Sequence, residues 1–302
     1  MASIFRGVKY LLTNRRLFLD SIVKNYFSFL PDKIYLSLRF RLKMGKWINW
    51  RNPLTYNEKL QWLKLYDRNP LYTILVDKYR VKQWVADKIG EEYVIPTLAV
   101  WDNAEDIDIS ILPKQFVLKC NHDSGSVVIC KDKKTFDLNA AKDKLGKALK
   151  HNFYLDGREW PYKNVRRCIF AEKYMTDGTG DELRDYKFWS FNGVPKIVYC
   201  SVKNDNIWEN YYDMDFIPLN INHGFPSSEQ EIVKPNTFDE MKSVISKFAL
   251  QIPFIRVDFY EIQGRVYFGE FTCYDFAGLK PFQDIEQDSM LGDMIKLPID
   301  KK

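Results

Sequence analysis

Two segments near the carboxyl end carry charge in an apolar setting: Phe254-Ile-Arg256-Val-Asp258-Phe-Tyr-Glu261 and Val266-Tyr-Phe-Gly269-Glu270-Phe-Thr272. Inside strands built of Ile, Val, Phe and Tyr, unpaired charge is costly. A divalent cation is the usual compensation for two inward carboxylates. The alternative is an Arg256–Asp258–Glu270 ion network that ties two strands together. Register separates the cases. A three-residue loop Ile262-Gln263-Gly264 pairs Glu261 with Arg265 and sets Asp258 opposite Phe268 and Arg256 opposite Glu270. Asp258 and Glu270 then become diagonal neighbours on one face, able to share Mg²⁺. A two-residue loop puts them on opposite faces unless a bulge intervenes.

Three further stretches could do chemistry. Lys119-Cys-Asn-His122-Asp-Ser124-Gly125-Ser126 ends a strand in a small polar loop, whose N–H groups could cradle phosphate beside a lysine; a plain β-turn is the other reading. It is not a Walker motif. His122 could touch a phosphate or serve the loop, and three histidines in all argue against a His-rich zinc site. Ala171-Glu172-Lys173-Tyr174-Met175 is a strand running into the glycine-rich Asp177–Glu182 turn. Its backbone could read an adenine edge, and carboxylates such as Asp181 and Glu182 could bind ribose; a strand and a solvated loop is the alternative. Arg184 and Lys187 open the next strand and could reach phosphates or be edge charges.

The elements that must hold these residues read as α+β. Residues 1–95 are mainly helical. Thr55 and Glu58 form a capping-box signal, and a second helix runs from Pro70 to Gly90. Leu36 to Met44 alternates apolar and polar like a strand, but with mixed propensities. After Pro96 come strands at 115–118, 127–131 and 168–175, with a helix at 139–152. Two hairpin-like units follow, Tyr186–Val202 about Asn192-Gly193 and Phe254–Thr272 about Gly264. A helix capped by Thr237 and Glu240 lies between them. Hairpin connections favour antiparallel sheets over a doubly wound fold. The expected organisation is a basic aromatic arm (1–50), a helical lead-in (51–95), a first lobe with the phosphate loop (96–176) and a second with the metal site (177–302).

Composition is that of an ordinary globular protein, 46% apolar and 28% charged. No run is long enough to cross a membrane, and the amino end lacks signal-peptide form. Five scattered cysteines without a CxxC pair fit free thiols in a reducing cytoplasm. The first fifty residues hold ten Lys/Arg against two Asp/Glu, net +8, and ten aromatics. Such an arm could rest peripherally on the inner face of an anionic membrane or cap the body as a solvated helix. The remainder, at net −3, argues against nucleic acid.

The order of the pieces resembles the nucleotide site of the ATP-grasp superfamily, and more closely its TupA-like branch. The resemblance spans about residues 50–280. It is carried by Asn52-Pro53 with Glu58-Lys-Leu-Gln-Trp62, Asp67-Arg-Asn-Pro70, Asp77-Lys78-Tyr79, Lys119-Cys-Asn-His122, Arg256-Val-Asp258 and Gly269-Glu-Phe-Thr272. It implies two α+β lobes clasping ATP. Lys78 and Lys119 would meet phosphates or adenine, and the 121–126 loop would close over the phosphates. Glu172 would approach the adenine amino group, with Lys173 and Met175 as hinge contacts. Asp181 or Glu182 would bind ribose, and Lys187 would neutralise phosphate. Asp258 and Glu270 would ligate Mg²⁺, and Arg256 would steady the transferring phosphoryl group. Thr272 stands where many relatives have Asn, a weaker ligand that still fits the branch. The implied reaction joins a carboxylate, small or on a saccharide, to an amine through an acyl phosphate, in surface-polysaccharide biosynthesis. Two alternatives carry less. A glycosyltransferase would need Asp213-Met-Asp215 as its metal pair, and a non-enzymatic membrane-binding module would use the basic arm alone. No His-Arg-Asp or Asp-Phe-Gly marks a protein kinase.

Overall fold

The computed structural model describes residues 15–177, 183–203, 207–228, 232–248 and 250–299. Its helices are α1 (Arg15–Tyr26), α2 (Asp32–Met44), α3 (Tyr56–Tyr66), α4 (Leu71–Val76), α5 (Arg80–Ile89), α6 (Leu138–Lys150), α7 (Tyr154–Gly157), α8 (Phe238–Lys247) and α9 (Ile285–Asp293). Strands β1 (Thr97–Trp101), β2 (Phe116–Cys120), β3 (Val127–Cys130) and β4 (Ile169–Lys173) form one sheet, ordered β1-β4-β2-β3. Strands β5 (Asp185–Phe191), β6 (Val194–Lys203), β7 (Ile207–Tyr212), β8 (Pro218–Leu219), β9 (Phe254–Ile262) and β10 (Arg265–Thr272) form the other, ordered β10-β9-β5-β6-β7-β8. Every pairing within both sheets is antiparallel, so the chain is α+β.

Each sheet has its own core. The smaller packs Phe116, Leu118, Ile169 and Ala171 against Ala141 and Leu145 of α6. The larger buries Trp189, Phe188, Phe254 and Phe259 against α3, α4, α8 and α9. Trp189 is fully buried, with the Tyr56 ring stacked on it at 5.4 Å. Burying one such ring stabilises the fold by about 3 kcal/mol.

Local signals decide several elements. The capping box forms as expected, Glu58 N donating to Thr55 Oγ1 and Thr55 N to Glu58 Oε2. Asn192-Gly193 turns with φ of 51° and 85°, the conformation its type predicts. The alternating 36–44 stretch is helix. Its buried residues Tyr35, Leu36, Arg39 and Phe40 fall on one helical stripe, and Leu, Arg, Lys and Met are good helix formers.

Two expectations fail. Thr237 and Glu240 make no capping box: Thr237 N and Oγ1 both donate to Glu261 Oε2, and Glu240 accepts from Tyr93 OH. The Pro70–Gly90 helix is not continuous. It breaks at Asp77-Lys78-Tyr79, because Asp77 Oδ1 accepts from Tyr79 N and Arg80 N and restarts the helix as a cap.

Among the described residues no helix is long and apolar enough to cross a membrane. All five cysteines are free and buried.

Candidate active site

The register of β9 and β10 differs from the expected one. Their turn has two residues, Gln263 and Gly264, at φ 53° and 72°, and pairs Ile262 with Arg265. Carried on regularly, that register would point Glu270 away from Asp258. A β-bulge corrects it. Phe268 still opposes Phe259, but Phe271 opposes Val257 and Thr272 opposes Arg256, so Gly269 and Glu270 together face Asp258. Gly269 suits the bulge, since a Cβ would lie 3.1 Å from the Asp258 carbonyl oxygen and 3.2 Å from the Tyr260 ring, tighter than ordinary contact. On the other side of β9, Lys187 opposes Asp258 and Trp189 opposes Arg256.

These registers gather one charged cluster. Arg256 donates through Nε and Nη2 to both Asp258 oxygens (2.7 and 2.7 Å), through Nη2 to Glu270 Oε1 (2.7 Å), and through Nη1 to Asp275 Oδ1 (2.6 Å). Asp275, fully buried, also accepts from Trp189 Nε1 at 3.0 Å and Tyr199 OH at 3.3 Å. Lys187 pairs with Asp185 at 2.8 Å. Burial pushes the Asp258 carboxyl up to about 7, against the pull of Arg256 and Lys187. Burial would raise Glu270 too, but Lys78, Arg256 and Lys187 overcome it and hold that carboxyl at about 2. Glu270 is therefore the standing anion, and its side chain is a third exposed at the cleft.

The broken helix supplies the next part. Lys78 N donates to Asn121 O, and Asn121 Nδ2 donates to Asp77 Oδ1 and Arg166 O. The helix break and the polar loop are thus one unit. From it Lys78 Nζ reaches the Asp123 carbonyl oxygen at 2.7 Å and Glu270 Oε2 at 3.4 Å. In the loop Ser124 and Gly125 are exposed, and Gly125 sits at φ +99° with open space around it. Ser126 Oγ donates to Asp123 Oδ1 and accepts from Cys120 N. His122 is buried against the His151 carbonyl, where burial lowers its pKa.

A second cluster lies on the four-stranded sheet. Buried Glu172 is held by Lys119 at 2.5 Å and by Lys82 of α5, which also donates to the Ile95 carbonyl. Burial opposes ionisation of Glu172, but the two lysines win and its pKa is lowered. Lys173 N is taken by Pro96 O at 3.0 Å, and Met175 follows half-buried. Arg184 lies beside Tyr186. Asp181 and Glu182 lie outside the described residues. Asp213 Oδ1 accepts from Asp215 N and Ile217 N, which makes Asp213-Met-Asp215 a self-satisfied turn.

Both sides of the first cluster open on a cavity of about 740 Å³, whose wall includes Lys78, Ser124, Arg256, Glu270 and Thr272. The far wall holds Glu159, Lys280 and residues of α1 and α2, among them Leu17 and Lys43. Sequence reasoning missed Lys82, Asp123, Glu159, Tyr199 and Asp275. Asp275 was findable only as a charge three residues past Thr272 in an apolar stretch.

The donors fit Mg²⁺ in kind. Glu270, Thr272 Oγ1 (3.4 Å from Glu270 Oε1) and Asp258 are hard oxygens on one face. Among the described residues no set of three His, Cys, Asp or Glu could enclose a metal alone. Mg²⁺ is commonly held by one or two carboxylates, with phosphate oxygens completing its shell.

A bulged antiparallel hairpin carrying Arg, Asp and Glu, facing a second sheet with paired lysines and a small-residue loop, places the molecule in the ATP-grasp class, whose enzymes are ATP-dependent ligases that form carbon–nitrogen bonds. The chain belongs to the TupA-like ATP-grasp family, whose model matches residues 58–296. Among solved structures it is similar to D-alanine–D-alanine ligase from Bacillus anthracis complexed with ATP (17% identity, 74% of this chain and 63% of that one, TM-score 0.41). It is also similar to D-alanine–D-alanine ligase from Helicobacter pylori (13%, 80% and 69%, 0.41) and to a RimK-domain ATP-grasp protein from Sphaerobacter thermophilus (11%, 76% and 70%, 0.40). The chain spans less than two thirds of the length of the first of these. No curated protein sequence matches it.

Proposed function

We propose that the protein is an ATP- and Mg²⁺-dependent carboxylate–amine ligase acting on a surface or capsular polysaccharide or its precursor. In this reading a substrate carboxylate attacks the γ-phosphorus of ATP, and the acyl phosphate then passes its acyl group to an amine. One observation carries the reading. The β10 bulge turns Glu270 to the side of Asp258 and Arg256, while Lys78 ties Glu270 to the 121–126 loop, and Lys78, Ser124, Arg256 and Glu270 line one cavity.

The residues divide the work. Lys78, Lys119 and Lys187 offset phosphate charge, and Glu172 keeps Lys119 and Lys82 in place. Arg256, fixed by three carboxylates, presents a rigid cation to the phosphoryl group, so little reorganisation is needed as charge develops. Glu270 and Thr272, backed by Asp258, hold the magnesium, which when bound neutralises phosphate oxygens. Backbone near Met175 reads adenine, and Asp181 or Glu182 takes the ribose. His122 and Ser126 shape the 121–126 loop, and exposed Ser124 and Gly125 close it over the phosphates, excluding water from an intermediate that hydrolyses. The four-stranded sheet and its helix form one lobe (96–176), and the six-stranded sheet the other (177–302).

ADP release, assayed with panels of uronates, amino acids and amines, tests the class. Turnover should need both a carboxylate and an amine, and Glu270→Gln should cut it by about 100-fold or more. Turnover that ignores the amine, or survives the substitution, refutes the reading.

The same proposal gives α1 and α2 a place at an anionic membrane surface. Their charge is basic, and Phe18, Tyr26 and Phe29 are exposed. Phe18→Ser with Phe29→Ser should reduce flotation with phosphatidylglycerol vesicles; unchanged flotation removes this element.

A further inference from the structure

We infer that the cavity wall at Gly157–Glu159 is the amine subsite and that Glu159 is the base that takes a proton from the incoming ammonium group; this rests on the ligase reading above. Glu159 lies on the same cavity as Arg256, Glu270 and Lys78, and only 7% of it is exposed. Among the described residues its carboxylate has no hydrogen-bond donor and no ion-pair partner within 4 Å. A buried carboxylate in that condition is expensive to keep. Its nearest cation does not account for it. Lys64, fully buried, already gives its three protons to Gly157 O (2.7 Å), Ala277 O (2.6 Å) and Gln61 Oε1 (3.2 Å), the full donor count of an ammonium. Glu159 is therefore not engaged by the fold, and it lines the cavity that Arg256 and Glu270 also line.

Its position is rigid. Arg158, at φ 54°, lies over the Tyr35 ring at 4.2 Å and donates through Nη2 to the Ser28 and Leu30 carbonyls. Trp160 Nε1 donates to Asp67 O at 2.9 Å. Glu159 is thus clamped on both sides, by Arg158 on the α1–α2 connection and by Trp160 on the residue that follows α3. Gly157 clears the approach, since a Cβ there would stand 2.9 Å from Glu159 Oε1. Aromatic Tyr162 and Phe153 line the adjoining wall, a surface suited to an alkylammonium.

The charges around Glu159 suit a base. Burial raises its carboxyl to about 7. Lys64 on α3 and Arg256 on β9 oppose this, and Asp275 beyond β10 and Asp156 on α7 add to it. A base working near neutral pH is matched to an amine that must be deprotonated there.

The step balances. The ammonium gives one proton to the Glu159 carboxylate, and the nitrogen lone pair attacks the acyl carbon. The carbon–nitrogen bond forms and the carbon–oxygen bond to phosphate breaks, with phosphate leaving on the electron pair. The second nitrogen proton leaves with the phosphate as hydrogen phosphate, and Glu159 returns its proton to solvent through the cavity.

Hydroxylamine separates this step from the first. It is neutral at pH 7 and needs no base, so it traps the acyl phosphate as hydroxamate. With glucuronate or glutamate as carboxylate, Glu159→Gln should keep hydroxamate formation within about threefold while ligation to ethanolamine falls about 100-fold or more. Glu159→Asp, which keeps the charge but withdraws it, should fall between, and cooperative thermal unfolding shows whether each variant is folded. Equal slowing of both reactions, or of neither, overturns the assignment. Failure of the wild type to form hydroxamate from any carboxylate sinks the ligase reading instead. The subsite is then judged by calorimetry of ethanolamine binding without ATP: binding lost in Glu159→Gln supports it, and equal binding or none by both proteins overturns it.

Discussion

Replacing Arg256 by Met tests the cluster at its centre. Three carboxylates depend on this guanidinium to different degrees. Glu270 is a third exposed and keeps Lys78 at 3.4 Å, so its loss is small. Asp258 is 3% exposed and loses both of its 2.7 Å donors, keeping only Lys187 across the strand. Asp275 is fully buried and keeps Trp189 and Tyr199, both neutral donors. Removing one partner from a buried ion network costs about 3–5 kcal/mol, and two buried carboxylates that lose their hydrogen-bonded guanidinium put this variant in that range at pH 8. The loss must depend on pH. Burial already holds the Asp258 carboxyl above its unfolded value, and removing Arg256, which pulls it down, moves it further up. The folded form is then favoured when Asp258 is protonated, and that contribution is lost as pH rises through the folded value. Urea unfolding followed by tryptophan fluorescence, at pH 8 and pH 5, should show a large deficit at the higher pH and a smaller one at the lower. A deficit under about 1 kcal/mol at pH 8, or one equal at both pH values, refutes the electrostatic account of the cluster.

Two further predictions concern other links. Asp77→Ala removes the acceptor for Tyr79 N, Arg80 N and Asn121 Nδ2, so stability should fall by about 1–2 kcal/mol. Because the same carboxylate holds the Lys78 unit to the loop, the KM for ATP should also rise in steady-state assays, and an unchanged KM would detach the helix break from nucleotide binding. Glu209 is 2% exposed, and burial pushes its carboxyl up to about 7, against the hydrogen bond from Tyr211. Its folded value lies above the unfolded one, so its contribution to stability is present in mild acid and disappears as pH rises from about 4.3 toward 7. Glu209→Gln should therefore raise Tm at pH 8 relative to pH 5, by calorimetry, and an equal shift at both pH values would contradict the assignment.

The sequence by itself determined the locally encoded parts. Thr55 and Glu58 form their capping box from neighbouring residues alone, whereas the same signal at Thr237 is diverted by Glu261. Asn192-Gly193 favours a two-residue turn without help, because both positions need positive φ. Strand alternation put Arg256 and Asp258 on one face, two residues apart, and spacing alone suffices for that. Residue order from Lys78 to Glu270 was enough to point to the family. Only the tertiary structure decided the rest, since those features compare energies between distant segments. The bulge at Gly269-Glu270 exists because Gly269 can approach Asp258 and Phe271 must pack inward, and neither is visible in the β10 sequence. The docking of the Lys78 unit on the polar loop depends on Asn121, forty-four residues beyond Asp77. Asp275 and Glu159 become site residues only when burial removes water from them, and burial is a property of the packed whole.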